Sequence, residues 1–299
     1  MFRAYYVGIT QTKILTVNSI VMLLSNVALN YCLIFGKGGF PAAGIAGAAI
    51  ASSVSEAVSL LFFIIYTSMT ADKRKYGFRR AFTLRPHLLK GMLSISGWTM
   101  VQSFISVSIW FIFFLAIEHL GERPLAVTNI VRNISALLIM VISAFATTAG
   151  ALISNQIGAG EQRCLFKTCG MTLKLTYAIL IPLLIILCLF PESVLRAFTD
   201  SPSLIAASVN SVYVMASSTL IMAPSFILFN AVSGTGNTRA GFIMEMISLA
   251  VYTAVIYYGI IRLKPDVALC WFSEHVYGVT LIFLAWWYLK SGKWRGKKV

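Results

Sequence analysis

The stretch PLAVTNIVRNISALLIMVISAFATTAGALIS, residues 124–154, carries a single formal charge, at Arg132. A helix needs about 20 apolar residues to cross the hydrocarbon of a bilayer. This run exceeds that length and is too apolar for the surface of a water-soluble domain. The same reading along the chain gives seven more spans, at 14–35, 44–68, 93–117, 170–190, 204–230, 240–261 and 267–289. Lipid offers no partner to a bare N–H or C=O, so each span satisfies its backbone internally, as a helix. A membrane barrel would need segments of about ten residues alternating in polarity, and none is present. Glycine- and proline-containing turns fall between the runs, at 36–41, 121–124, 190–192, 200–202 and 264–266. Across the 299 residues, 58% are hydrophobic and 11% charged, where soluble domains average about 25% charged. That balance excludes an ordinary soluble enzyme and a disordered chain.

A formal net charge of +14 would ordinarily invite a nucleic-acid partner, but its distribution argues for membrane topology. With the N-terminus in the cytoplasm, one side collects Arg3, Lys13, the cluster Lys73, Arg74, Lys75, Arg79, Arg80, Arg85 and Lys90, then Arg163, Lys167, Lys174, Arg239, Lys290, Lys293, Arg295, Lys297 and Lys298. The other side holds only Lys37, Arg123, Arg196, Arg262 and Lys264. Basic residues accumulate in cytoplasmic loops, so both termini are expected in the cytoplasm of a multi-pass protein of the cell (inner) membrane. The expected partner of this charge is anionic lipid, with no nucleic acid. Five cysteines form no CxxC pair and have no histidine at ligand spacing, so neither a metal site nor a disulfide framework is expected. The first span is too long for a signal-peptide core.

Gly8-Ile9-Thr10-Gln11-Thr12-Lys13 matches Gly234-Thr235-Gly236-Asn237-Thr238-Arg239 in the pattern G-x-x-[QN]-T-[KR], each copy just before a span. This reads as a duplicated half. The second copy is preceded by four spans of its own half and the first copy by none. The expectation is therefore a chain that begins late in its first repeat, with four helices absent and Met1 an internal methionine of a longer ancestor.

Residues 26–36 (NVALNYCLIFG), then Gly39, Phe40, Pro41, Gly44 and 47–52 (GAAIAS), resemble the fifth and sixth helices of the multidrug and toxic compound extrusion (MATE) transporters. Residues 154–161 (SNQIGAGE) resemble that family's loop after its eighth helix, and 233–238 (SGTGNT) its loop between the tenth and eleventh. The three motifs occur in order, and the resemblance extends across essentially the whole chain. The resemblance implies an all-α, polytopic membrane helix bundle, MATE-like, with about eight transmembrane helices: the end of a first lobe plus a complete second lobe. The implied organisation is 1–70 for the last two helices of the N-terminal lobe, 71–92 for a basic cytoplasmic linker, 93–289 for a C-terminal six-helix lobe and 290–299 for a basic cytoplasmic tail. It also implies secondary antiport of organic cations in exchange for sodium ions or protons, with no other cofactor, and the missing N-terminal part as a further partner.

Ionisable residues inside spans are the strongest functional clues, because a charge at a helix centre costs about 2.5–3.5 kcal/mol or more. Glu56, with Ser52, Ser55 and Ser59 around it, reads as a polar stripe facing the bundle. Arg132 shares a stripe with Asn129, Asn133, Ser143 and Thr147. Glu245 and Glu274 lie within the last two spans. These three acids are the candidates for cation coupling, and Arg132, at a depth comparable to Glu274, is the candidate ion-pair partner. The competing reading for each is a structural contact that fixes helix register. Sodium-coupled MATE members place one acid mid-way along the seventh helix and another in the tenth. The matching spans here, 93–117 and 204–230, offer Gln102, Ser103 and Ser106, and Asn210, Ser217, Ser218 and Thr219, without an acid. That site is therefore not carried over, and the first-lobe proton site of other members lies on a helix this chain lacks.

A cavity for organic cations combines aromatic faces with a few polar groups. Gln102, Trp110, Phe226, Asn230 and Tyr257 are the candidate lining residues. Pro182 and Pro224 interrupt spans and tend to kink them, and Gly158, Gly160, Gly234 and Gly236 sit in the family-like loops. These six are hinge candidates, with close helix packing the alternative. Two further functional readings stay open: a remnant or partial gene product without transport of its own, and a lipid-linked sugar flippase, which calls for a strongly cationic cavity. Enzyme chemistry needs converging acids, bases or metal ligands, and the isolated acids here do not supply them.

Overall fold

A computed structural model describes residues 2–9, 11–70, 86–292 and 294–295, and among them every regular element is helical. Most of the basic linker (71–85) and part of the tail (293 and 296–299), like Met1, lie outside the described residues. The chain divides into two compact units, Met1–Pro86 and His87–Val299.

The first unit holds α1 (Phe2–Gly8), α2 (Lys13–Phe35) and α3 (Gly44–Thr70). The last two form an antiparallel hairpin: Leu33 lies beside Gly47 near the turn, and Asn18 donates to Ser59 at 2.8 Å farther along. The helices meet because α3 presents a small-residue row. Gly47, Ala51, Ser55 and Ser59 are buried at four-residue spacing, and Phe63 and Thr67 continue the row. A Cβ on Gly47 would stand 2.5 Å from the Leu33 carbonyl oxygen, so only glycine permits this approach. In lipid, where apolar side chains gain little by leaving the solvent, such contact is a main source of helix association. Tyr6, Ile14 and Phe63 form the unit's core, and the Tyr6 hydroxyl lies 2.8 Å from that of Thr67. The expected polar stripe is split by this geometry. Ser55 and Ser59 are buried, whereas Glu56 and Ser52 are exposed, one residue step of about 100° around the helix away.

The second unit holds α4 (Pro86–Glu118), α5 (Glu122–Gly158), α6 (Leu165–Leu189), α7 (Pro191–Arg196), α8 (Pro202–Gly234), α9 (Thr238–Val255), α10 (Val267–Cys270) and α11 (Ser273–Ser291). A 3-10 turn precedes α6, and a π-helical segment, Ile256–Arg262, extends α9. Helix α8 is the most enclosed of the long helices, with α5, α6 and α11 against it and α9 against α11. Ile134, Leu138 and Ile142 of α5, Leu180 and Leu184 of α6, and Val212 and Met215 of α8 share one core. Several buried hydroxyls of α8 return to carbonyls of their own helix, as Ser208 does to Leu204 at 2.7 Å and Thr219 to Met215 at 2.8 Å. Their polarity is thus satisfied without a partner helix.

Eight helices are long and apolar enough to cross a membrane, from Lys13–Phe35 to Val267–Ser291, and each overlaps one of the spans read from the sequence. The protein is a multi-pass membrane protein of the helical class. The repeated motif has a local structural counterpart. Gly8 and Gly234 each end a helix, and Lys13 and Thr238 each open the next. In the second copy Asn237 caps α9, its side chain accepting from the Ala240 N–H at 3.2 Å and donating to the Tyr288 hydroxyl.

Candidate functional site

Five helices of the second unit enclose a cavity of about 590 Å³. Helix α4 supplies Ser106 and Trp110, α5 supplies Arg132, Ser135 and Ser143, α8 supplies Met222 and Phe226, α9 supplies Glu245, Leu249 and Tyr252, and α11 supplies Glu274 and Tyr277. Glu245 lies seven residues into the span Thr238–Arg262, and Glu274 seven residues into Val267–Ser291. Consecutive spans run in opposite directions, so the two acids enter the membrane from opposite sides.

Each acid is held by the tyrosine of the other helix. The Tyr277 hydroxyl of α11 donates to Glu245 Oε1 at 2.9 Å, and the Tyr252 hydroxyl of α9 donates to Glu274 Oε1 at 2.8 Å. Ser106 of α4 adds a second donor to Glu245 Oε1 at 2.9 Å. The two tyrosine rings meet edge to face with centroids 5.8 Å apart, a favoured aromatic geometry. Glu245 is only 4% exposed, and its Oε2 is buried without a partner. The arrangement presents carboxylate and hydroxyl oxygens at two levels of one cavity, which suits it to take up and release a small cation. Among the described residues, no three His, Cys, Asp or Glu side chains are grouped to hold a metal ion.

Arg132 reaches this cavity but does not pair with Glu274, contrary to the sequence expectation. Tyr252 occupies Glu274, and the Arg132 guanidinium lies over the Phe114 ring, 5.3 Å from its centroid. Among the described residues it has no ion pair and no hydrogen bond, and its Nε is buried without a partner. Of its expected stripe, Ser143 also lines the cavity, while Asn129, Asn133 and Thr147 do not.

Of the five expected lining residues, Trp110 and Phe226 line the cavity. Gln102 sits one helical turn before Ser106, past the cavity's edge. Asn230 turns its amide back to the Phe226 carbonyl at 2.9 Å. Tyr257 lies on the π segment, exposed, with its hydroxyl accepting from Arg262 at 3.3 Å. Glu56 belongs to the first unit and is not part of this group. Helices α6 and α8 continue through Pro182 and Pro224 without a break. Gly158 and Gly234 are the last residues of α5 and α8, and Gly160 and Gly236 take φ of +83° and +77° in the turns that follow. Tyr252 and Tyr277 were not singled out from the sequence. The signal was available: Tyr252 follows Glu245 by two helical turns and Tyr277 follows Glu274 by one, so each helix carries an acid and a tyrosine on one face.

The MatE family model matches residues 99–258. The probable multidrug resistance protein NorM of Thermotoga maritima is 25% identical over 291 residues, 92% of this chain and 59% of that protein. The uncharacterized transporter YisQ of Bacillus subtilis is 25% identical over 243 residues, 77% of this chain and 50% of its own. Among solved structures, an outward-facing multidrug resistance MATE family transporter superposes with a TM-score of 0.79 at 16% identity, over 92% of this chain and 61% of its own. The Vibrio cholerae MATE transporter VcmN superposes with a TM-score of 0.81 at 12% identity, over 97% and 65%. At those identities the structures speak for the fold alone. The chain spans about half the length of the curated relatives it matches.

Proposed function

Because the chain belongs to the MatE family of membrane transporters, we propose that it serves the export of organic cations by exchange with an inward-moving sodium ion or proton, through the cavity between α4, α5, α8, α9 and α11. The observation that carries this reading is the crossed pair of acids and tyrosines, Glu245 with Tyr277 and Glu274 with Tyr252, facing one aromatic-walled cavity. Organic cations are drawn to carboxylates and to the faces of Trp110 and Phe226. A small cation that neutralises the same carboxylates competes with them, and competition for one charge is the physical content of antiport. Glu245, with a buried and unpartnered Oε2, is the better placed of the two acids to hold the coupling ion. The flippase reading is less favoured, since the lining carries two acids against the single cation Arg132. Charge distribution supports a location in the cell membrane with both termini in the cytoplasm.

The test is reconstitution of the 299-residue chain in liposomes under imposed sodium or proton gradients, with ethidium as the probe. Gradient-driven ethidium movement is expected, lost in Glu245→Gln and reduced at least about tenfold in Glu274→Gln. Movement that is independent of both gradients, or untouched in both variants, refutes the coupling assignment. No binding and no movement of ethidium refutes the export reading.

A further inference from the structure

We propose that the turn between α5 and α6, together with the segment after α11, binds the phosphate of an anionic membrane phospholipid through Arg163 and Arg295. The site is separate from the cavity of the acids and does not depend on the export reading. A second pocket, of about 510 Å³, is lined by residues 160–164 of the turn and by Arg295. A tail that served only the charge bias across the membrane would need basic residues but no fixed place for them. Here the start of the tail is fixed. Gly292 takes φ of +67° and turns the chain back. Trp294 is 3% exposed and shares a core with Ile153 of α5, Leu165 of α6 and Leu289 of α11, and its Nε1–H donates to the Leu289 carbonyl at 2.9 Å. The Arg295 N–H donates to the Gly292 carbonyl at 2.9 Å, and the Arg295 guanidinium lies over the Trp294 ring, 5.6 Å from its centroid. A buried indole thus carries one arginine to the pocket that Arg163 reaches from the turn. Among the described residues neither guanidinium has an ion pair or a hydrogen bond, although Glu161 lines the same pocket. Two uncommitted forks of N–H donors suit the oxygens of a phosphate. Depth selects a lipid as its source. The lining falls between the end of the span Glu122–Gly158 and the start of Gln162–Leu189, just past the end of Val267–Ser291, which is the level of lipid headgroups. Phe166, exposed near the start of α6, offers apolar surface to an acyl chain. The charge distribution assigns this level to the cytoplasmic leaflet, where basic pockets between helices attract anionic headgroups.

The test uses the purified full chain, stripped of lipid in a neutral detergent and titrated with dioleoylphosphatidylglycerol, with dioleoylphosphatidylcholine or with inorganic phosphate. Bound lipid is counted by native mass spectrometry, and the melting temperature is followed as lipid is added. Phosphatidylglycerol is expected to bind saturably and raise the melting temperature, and phosphatidylcholine to do neither. Arg163→Gln and Arg295→Gln should each weaken phosphatidylglycerol about tenfold, the loss of one charge-assisted hydrogen bond. Arg163→Lys should keep part of the affinity, and Glu161→Gln should increase it by removing a like charge beside the phosphate. Arg239→Gln, on the same side by the charge bias but off the pocket, should leave it unchanged. An equal loss in Arg239→Gln would mean diffuse attraction to the whole basic face and overturns the proposal. Unchanged binding in both Arg163→Gln and Arg295→Gln overturns it too, as does a wild type that binds phosphatidylcholine as tightly as phosphatidylglycerol. Inorganic phosphate held at the two arginines as tightly as the lipid would make the ligand a free anion, and the lipid assignment falls.

Discussion

Glu245 draws two hydroxyl donors to one oxygen, and the Tyr277 hydroxyl is the one that ties α9 to α11. Removing a donor from a buried carboxylate leaves part of its solvation unreplaced, so Tyr277→Phe is expected to lower the unfolding free energy by about 1–3 kcal/mol, read as a lower melting temperature in detergent. The crossed pairing makes a sharper forecast. Double-mutant cycles joining Tyr252 with Glu274, and Tyr277 with Glu245, should give coupling of about 0.5–3 kcal/mol, while Tyr252 with Glu245, which touch only through the Tyr277 ring, should couple more weakly than either bonded pair. Equal coupling in all three cycles would contradict the pairing. Sequence alone points to the acids, because charges in an apolar run stand out. It assigns them no partners, since a hydroxyl 22 or 32 residues away is brought near only by the packing of two helices.

At the scale of helices, the glycines divide into those that packing requires and those it does not. A Cβ on Gly234 would lie 2.5 Å from the Gly150 carbonyl oxygen, whereas one on Gly158 would meet nothing within 4 Å. Backbone cannot yield as a flexible side chain does, so Gly234→Ala is expected to destabilise the contact of α8 with α5 by about 1–3 kcal/mol. Gly158→Ala should stay within about 0.5 kcal/mol of the wild type. Thermal unfolding of both variants in detergent measures the difference, and equal stabilities would show that the α5–α8 approach is looser than described. A Gly158→Ala protein of unchanged stability but slowed transport would mark that helix end as a moving joint. The small-residue row of α3 was legible beforehand as spacing. The faces it separates, with Ser55 inward and Glu56 exposed, were not.

For the molecule as a whole, the charge bias makes the sidedness testable. Single cysteines at Lys37, Arg123 and Lys264 should react with a membrane-impermeant maleimide on intact cells, and those at Arg163, Arg239 and Lys290 only after permeabilisation. Reaction of both sets from the same side would reverse the topology. Number, length and approximate ends of the spans were fixed by composition, because crossing hydrocarbon demands long apolar helices and charge is excluded from them. The local turn repeated at Gly8 and Gly234 was equally visible, as it depends on neighbours in the chain. The inward face of each helix was decided elsewhere. Lipid is as apolar as a protein core, so a membrane helix shows little of the polar–apolar contrast that marks the inner side of a soluble one. For that reason depth alone suggests a pair of Arg132 with Glu274, and the sequence does not separate Trp110 and Phe226, which line the cavity, from Gln102, Asn230 and Tyr257, which do not. Only the packing of five helices decides which hydroxyls meet the two acids and leaves Arg132 over the Phe114 ring with its buried Nε unpartnered.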